Sequence, residues 1–93
     1  MTATGAAAFD PRASYRLGDQ VVLRREDFGA LAYDLSTRGL RVLRHADLVT
    51  VLERLDDSSS AEEAIDSVDT GNRRQLLAAL ARLEREGVIR VDP

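Results

Sequence analysis

Hydrophobic and polar residues alternate with the period of β-strands between residues 15 and 43. Residues 20–24 (Gln-Val-Val-Leu-Arg) are rich in β-branched side chains and lie between turn-forming and charged residues, as is typical of a strand. In residues 29–35, two leucines and a tyrosine alternate with small and acidic residues, which predicts a second strand. Residues 36–39 suit a hairpin connection that ends in glycine, and residues 40–43 return as a third strand. The pattern therefore predicts a three-stranded antiparallel meander with its third strand at an edge.

In the second half of the chain the hydrophobic residues recur at the spacing of α-helices. The first predicted helix spans about Ala46 to Leu55. Ser60 and Glu63 form a capping box, in which each side chain accepts a hydrogen bond from the other residue's N–H, and it opens a short second helix. The third predicted helix spans about Arg73 to Glu86 and carries its leucines along one stripe. It ends at Gly87, because glycine adopts the left-handed conformation of a helix C-terminus without strain.

The two ends of the chain lack these periods. Residues 1–13 are rich in small residues and predict a disordered, untethered arm in front of a domain formed by residues 14–93. Packing of Phe9 back onto the domain is the alternative. Residues 88–91 predict a short extended tail that covers the sheet or the helices. Strands followed by helices define an α+β domain. The order predicts a winged-helix-like fold, in which a three-stranded antiparallel sheet is followed by a three-helix bundle.

Composition limits the classes of function. Ninety-three residues, of which 44% are hydrophobic and 31% charged, are typical of one soluble globular domain. The absence of cysteine excludes disulfides and thiolate metal sites. No hydrophobic run approaches the roughly 18 residues of a membrane span, and residues 1–8 do not form a signal peptide. The expected location is therefore the cytoplasm, with no contact to membranes.

The basic residues are all arginine, 13 in number. Two interpretations stay open, because a GC-rich genome favours arginine codons and because the planar guanidinium suits the recognition of carboxylates. The formal net charge of −3 argues against broad binding of nucleic acid, for which a basic surface is expected.

No group of residues in the sequence predicts catalysis. His45 is the single histidine, and no cysteine is present to complete a metal site or a nucleophile–base pair. A capping role or exposure to solvent is therefore expected for it. Glu62 and Glu63 are adjacent and point to different sides of a helix, so they do not form an acid–base pair. We predict a protein that is not an enzyme and that binds no cofactor.

One alternative is a winged-helix regulator that binds DNA. Arg73, Arg74 and Gln75 lie at the exposed start of the third helix, where such a protein contacts bases. The acidic net charge, together with Glu84 and Glu86 in the same helix, argues against this alternative.

The edge strand offers a different kind of binding site. Arg41 and Arg44 flank Val42 and Leu43 on the third strand. An exposed edge has unpaired N–H and C=O groups with which an extended peptide can pair, but natural proteins also place charges on edges to prevent such pairing. Both interpretations stay open. Because an open edge can also pair with a second copy, a monomer and a strand-paired dimer are both consistent with the sequence.

A block of residues around the predicted hairpin resembles a known family. Residues 28–33 (Phe-Gly-Ala-Leu-Ala-Tyr), followed by residues 37–40 (Thr-Arg-Gly-Leu) and by Val42 and Leu43, are similar to the peptide chaperones of mycofactocin systems. That family belongs to the RiPP recognition elements and is related to the pyrroloquinoline quinone peptide chaperone. The likeness covers about residues 15–91.

The resemblance implies both a function and a site. Such chaperones bind the acidic leader of a short precursor peptide and deliver it to a radical S-adenosylmethionine (SAM) maturase. In related recognition elements the leader adds a strand beside the third strand, in the cleft against the third helix. The peptide-binding residues that the resemblance implies are Leu40, Arg41, Val42, Leu43, Arg44, Arg73, Arg74, Leu77 and Ala81. Arg82 and Arg85 lie away from the hydrophobic stripe of the third helix, where they form either a solvated helix face or a surface that docks the maturase, and both interpretations stay open.

Overall fold

The fold is an α+β arrangement of five short strands and three α-helices over the part of the chain that the computed structural model describes, residues 9–68 and 71–92. This confirms the predicted α+β class and the predicted three-stranded antiparallel sheet, while the winged-helix likeness stays a prediction. In chain order the elements are β1 (Tyr15–Leu17), β2 (Val21–Glu26), β3 (Gly29–Asp34), β4 (Gly39–Leu43), α1 (Ala46–Arg54), a 3₁₀ turn (Leu55–Asp57), α2 (Ala61–Asp66), α3 (Arg73–Arg85) and β5 (Ile89–Val91).

The meander has the order β2-β3-β4, so β4 lies at an edge as predicted. Its inner face, toward the helices, carries the small side chains of β3, and Ala30 and Ala32 are fully buried. Leu31 and Tyr33 occupy the opposite, outer face, where both are only half-buried. Small residues on the inner face let α1 pack close to the sheet. The larger residues of the alternating pattern therefore lie outside the core.

A second sheet joins the two ends of the described chain. Strand β1 pairs with β5 in antiparallel fashion, with Tyr15 opposite Val91 and Leu17 opposite Ile89. The predicted extended tail is therefore a strand, and it pairs with residues that the sequence pattern assigned to the start of the meander. Tyr15 and Ile89 are both fully buried, so this small sheet closes one end of the hydrophobic core.

Residues 9–13 pack against the domain. The ring of Phe9 stacks on Tyr15 with a centroid distance of 5.0 Å, which agrees with the interpretation in which Phe9 returns to the domain. The carbonyl groups of Pro11 and Ala13 accept hydrogen bonds from the first two N–H groups of α2, at 2.8 and 2.9 Å. These donors have no partner within the helix itself, so the arm satisfies them. Residues 1–8 of the predicted arm lie outside the described residues, and the predicted domain boundary stays a prediction.

The helix ends follow the capping signals in the sequence. The hydroxyl of Ser60 accepts from the N–H of Glu63 at 3.0 Å, as the capping box predicts. The carboxylate of Glu63 instead accepts from the N–H of Ser59, so the second half of the box is displaced by one residue. His45 caps α1, because its Nδ1 accepts from a backbone N–H three residues on. Gly87 has a φ of +83° immediately after α3, which confirms its predicted role.

Candidate functional site

The free hydrogen-bonding groups of β4 belong to Leu40 and Val42. The N–H of Leu35 donates to the C=O of Gln20 at 2.7 Å, which makes these two residues a hydrogen-bonded pair of the β2–β3 ladder. Hydrogen-bonded and non-bonded pairs alternate in an antiparallel ladder. In the register of β3 with β4, the residues of β4 that bond to β3 are therefore Gly39 and every second residue after it. The N–H and C=O groups of Leu40 and Val42 therefore point to the open edge.

This open edge faces a groove between β4 and α3, which we call the main groove. It encloses about 400 Å³. Its lining residues come from β4, α1 and one face of α3, and they are Leu40, Arg41, Val42, Leu43, Leu48, Ala79, Arg82, Leu83 and Glu86. A second space of about 320 Å³, the inner cavity, continues from it along the inner face of the sheet, where Ala32 and Val88 contribute to its walls. The open edge of β4 thus borders a groove that continues into a cavity under the sheet.

An ion pair stands where the main groove meets the inner cavity. Nη1 of Arg41 lies 2.9 Å from Oε1 of Glu86, and both residues line both spaces. Arg41 extends from the inner face of β4, opposite the buried Ala32, and Glu86 caps the C-terminal end of α3. The two side chains are 43% and 32% exposed. A pair this accessible to water contributes about 1 kcal/mol at most, so little free energy is needed to separate it.

The residues predicted for the helix wall of the site lie away from the main groove. Arg74, Leu77 and Ala81 do not line the main groove. The guanidinium of Arg73 lies instead against two carboxylates of α2. Strand residues Leu40–Leu43 line the groove, and their role in peptide binding stays a prediction. The main groove therefore lies between the predicted strand wall and a different face of α3. Because Arg73 is paired with carboxylates of α2, the alternative of a DNA-reading helix lacks a free charge at its first arginine.

Arg82 and Arg85, which were predicted to share one face of α3, lie in different environments. Arg82 lines the main groove, one turn before Glu86. Arg85 is exposed and does not line it. The sequence did not identify Ala79, Arg82 and Glu86 as groove-lining residues because they form the other flank of the buried leucine stripe. At about 100° per residue both flanks border that stripe equally. The sequence of α3 alone therefore does not distinguish the flank that faces β4 from the flank that does not.

Arg44 lies on the outer side of the sheet, at the end of β4. Its guanidinium carbon is 6.0 Å from the ring centroid of Phe28, within the range of a cation–π interaction. Around it the outer face is hydrophobic and open to water, with Val22, Leu40 and Val42 each about half exposed. Arg44 therefore flanks the strand edge from the side opposite to Arg41.

The turn that leads into β4 is held by Asp34. Its carboxylate accepts hydrogen bonds from the hydroxyl of Ser36 at 2.6 Å and from the N–H groups of Ser36 and Thr37. The hydroxyl of Ser36, followed by these backbone donors, lowers the pKa of the Asp34 carboxyl. Arg38 has a φ of +62° in the same turn, a conformation that is uncommon for a side chain of its size. The ionised carboxylate thus fixes the geometry from which the edge strand starts.

Neither a metal site nor a membrane span is found in residues 9–68 and 71–92. No three acidic or histidine side chains converge there to ligate a metal ion. None of the helices in this part of the chain is long and hydrophobic enough to cross a bilayer.

Comparison with known proteins places this arrangement in context. Residues 14–90 match the model of the peptide chaperone MftB family. The chain is 39% identical over 83 residues to the peptide chaperone MftB of Mycobacterium ulcerans (strain Agy99), which covers 87% of this chain and 76% of that protein. It is also 33% identical over 81 residues to the peptide chaperone MftB of Mycobacterium tuberculosis (strain ATCC 25618 / H37Rv), covering 82% and 74%. No solved structure is significantly similar to it.

Proposed function

The chain belongs to the MftB peptide chaperone family, and from this premise we propose that it binds the leader of a ribosomally made, mycofactocin-like precursor peptide as an added strand beside β4. We further propose that it presents the bound precursor to a radical SAM maturase. The observation that supports strand addition most directly is the set of free N–H and C=O groups of Leu40 and Val42, which face the main groove. An extended peptide in this groove satisfies these groups with its own backbone.

Side-chain recognition in this proposal comes from the walls of the main groove. An added strand directs alternate side chains to the two faces of the sheet. Those on the inner side meet Leu83, Arg41 and Arg82, whereas those on the outer side continue the hydrophobic surface of Leu40 and Val42. The site therefore combines apolar contacts with two arginines, and it suits a peptide that alternates hydrophobic and acidic residues.

Amide hydrogen exchange tests strand addition without any mutation. A saturating synthetic leader of a mycofactocin-type precursor is expected to slow exchange of the Leu40 and Val42 amides by at least about tenfold. The Arg41 and Leu43 amides are expected to be protected already in the free protein, because they donate to β3. Two-dimensional NMR spectra resolve these four signals. Unchanged exchange at Leu40 and Val42 in the leader complex would show that the peptide does not pair with this edge.

Exchanging single arginines of α3 tests which face of the helix meets the leader. Arg82→Glu places a carboxylate in the main groove and is expected to weaken binding of an acidic leader by about three- to tenfold, since like charges across an interface are unfavourable. Arg85→Glu changes the net charge equally outside the groove and is expected to leave the affinity within about twofold. Calorimetry with the leader alone measures both. Equal losses for the two variants would mean that only long-range charge matters.

Arg85 remains the proposed contact for the maturase. It is exposed, lies outside the main groove and adjoins the C-terminal end of α3. In this arrangement the leader occupies one side of α3 and the enzyme contacts the other, so that both bind at the same time.

A further inference from the structure

The ion pair between Arg41 and Glu86 has a position that goes beyond simple stabilisation of the fold. It joins β4 to the end of α3 across the junction of the main groove and the inner cavity, at 2.9 Å. Both partners retain substantial contact with water, and the pair therefore stabilises the free protein little. Its main effect is to hold the Glu86 carboxylate in the space that a bound peptide has to occupy.

The geometry of strand addition determines which ligand residue meets this pair. The backbone groups of Arg41 bond to β3, so in an antiparallel addition the peptide residue opposite Arg41 belongs to a non-hydrogen-bonded pair. Its side chain lies on the same inner face as that of Arg41, with the two Cβ atoms about 5 Å apart. That side chain therefore enters the space in which Glu86 now contacts the guanidinium.

From this geometry we infer that Arg41 is a carboxylate subsite of the peptide groove and that Glu86 occupies it until an aspartate or glutamate of the bound peptide replaces it. The inference rests on the proposed function and adds the chemistry of one ligand position. A carboxylate can replace Glu86 on Arg41 because it makes the same charge-assisted hydrogen bonds. A neutral side chain leaves the guanidinium with Glu86, which then continues to stand across the junction. Glu86 thus makes the groove selective for acidic peptides. Its carboxylate has to leave Arg41 before a ligand side chain can take that place, and only an acidic side chain restores the ion pair with Arg41.

Glu86→Gln tests the competition, and Glu53→Gln provides a matched control. Glu53 forms an ion pair of similar exposure with Arg25 on β2, at the other edge of the same sheet, with Nη2 of Arg25 2.6 Å from Oε1 of Glu53. The two variants carry the same change of net charge and each loses one ion pair. With the synthetic leader, Glu86→Gln is expected to raise the affinity about fivefold, whereas Glu53→Gln changes it less than about twofold. Circular dichroism confirms that both variants are folded.

A set of leader peptides in which each aspartate and glutamate is changed in turn to its amide locates the ligand's carboxylate. One such peptide is expected to bind the wild-type protein about tenfold more weakly than the unchanged leader does. An Arg41→Gln protein is expected to bind that peptide and the unchanged leader with affinities within about twofold of each other, because the interacting partner is already gone. If no amide peptide shows this dependence on Arg41, the carboxylate subsite is wrong.

The outcomes for the inference and for the proposed function are distinguishable. Equal affinities of wild-type, Glu86→Gln and Glu53→Gln proteins for a leader that does bind would overturn the competition and leave the proposed function intact. A leader that binds none of the three proteins would overturn the proposed function, and this inference with it.

Discussion

Val42→Pro is expected to lower the affinity for the leader by about 10- to 100-fold while the protein stays folded. The N–H of Val42 points to the open edge, so proline removes a donor that the peptide needs without removing a bond between β3 and β4. The proline ring also occupies the space that the peptide backbone would enter. Proline is tolerated on an edge strand because the N–H that it lacks would face solvent there. Calorimetry with the synthetic leader measures the loss, and circular dichroism establishes that the fold is retained.

Val42→Thr is the matched control for this result. Threonine keeps the N–H and the β-branched shape, and it changes only a side chain that is 48% exposed on the outer face. Its affinity is expected to stay within about threefold of wild type, since only part of one apolar contact is lost. On the side of the ligand, N-methylation at successive leader positions is expected to reduce binding at every second residue. A folded Val42→Pro protein that binds the leader as well as wild type does would rule out strand addition at β4.

Gly29→Ala is expected to reduce the free energy of unfolding by about 2–5 kcal/mol, which is enough to unfold a domain of marginal stability. Gly29 has a φ of +143°, and a Cβ atom there would lie 2.0 Å from the carbonyl oxygen of Leu43 and 3.2 Å from the Cα of Arg44. Both neighbours are backbone atoms, so no rotation of a side chain relieves the clash. Urea denaturation followed by circular dichroism measures the change.

Two other glycines separate the contributions to this loss. Gly87 also has a positive φ, +83°, but no atom lies within 4 Å of the position that a methyl group would take there, so Gly87→Ala is expected to cost only about 1 kcal/mol of backbone strain. Gly71 has neither constraint, and Gly71→Ala is expected to change stability by less than about 0.5 kcal/mol. If Gly29→Ala costs no more than Gly87→Ala, the close approach of β3 to the end of β4 is not as tight as described.

The elements with local signals could be predicted from the sequence. The alternation in residues 29–35 is produced by the pleat of one strand, and the caps at Ser60 and Gly87 involve atoms a few residues apart. The buried leucines of α3 likewise follow from its own period. Each of these features depends on neighbours in the chain, which is why the pattern along the chain is sufficient to find them.

The parts that could not be predicted depend on contacts between distant segments. The pairing of β1 with β5 has no local signal, because both strands are only three residues long. The groove-facing flank of α3 depends on the side from which the helix approaches the sheet. Arg82 and Ala81 are adjacent in the sequence and equally plausible as groove residues, and only the packing of α3 against the sheet separates them.

The β1–β5 sheet also has a consequence for the order in which the protein forms during synthesis. All pairings of the meander lie within residues 21–43, whereas β1 has to wait for β5, which is synthesised after all the other strands and helices. Closing the long loop between them costs more entropy than closing the short hairpins, and a growing chain folds from its N-terminal side. On the ribosome, the strand edge therefore exists before α3 supplies the opposite wall of the groove. A nascent chain therefore leaves Tyr15 exposed to water until β5 emerges, and the proposed peptide groove has both of its walls only once α3 has formed.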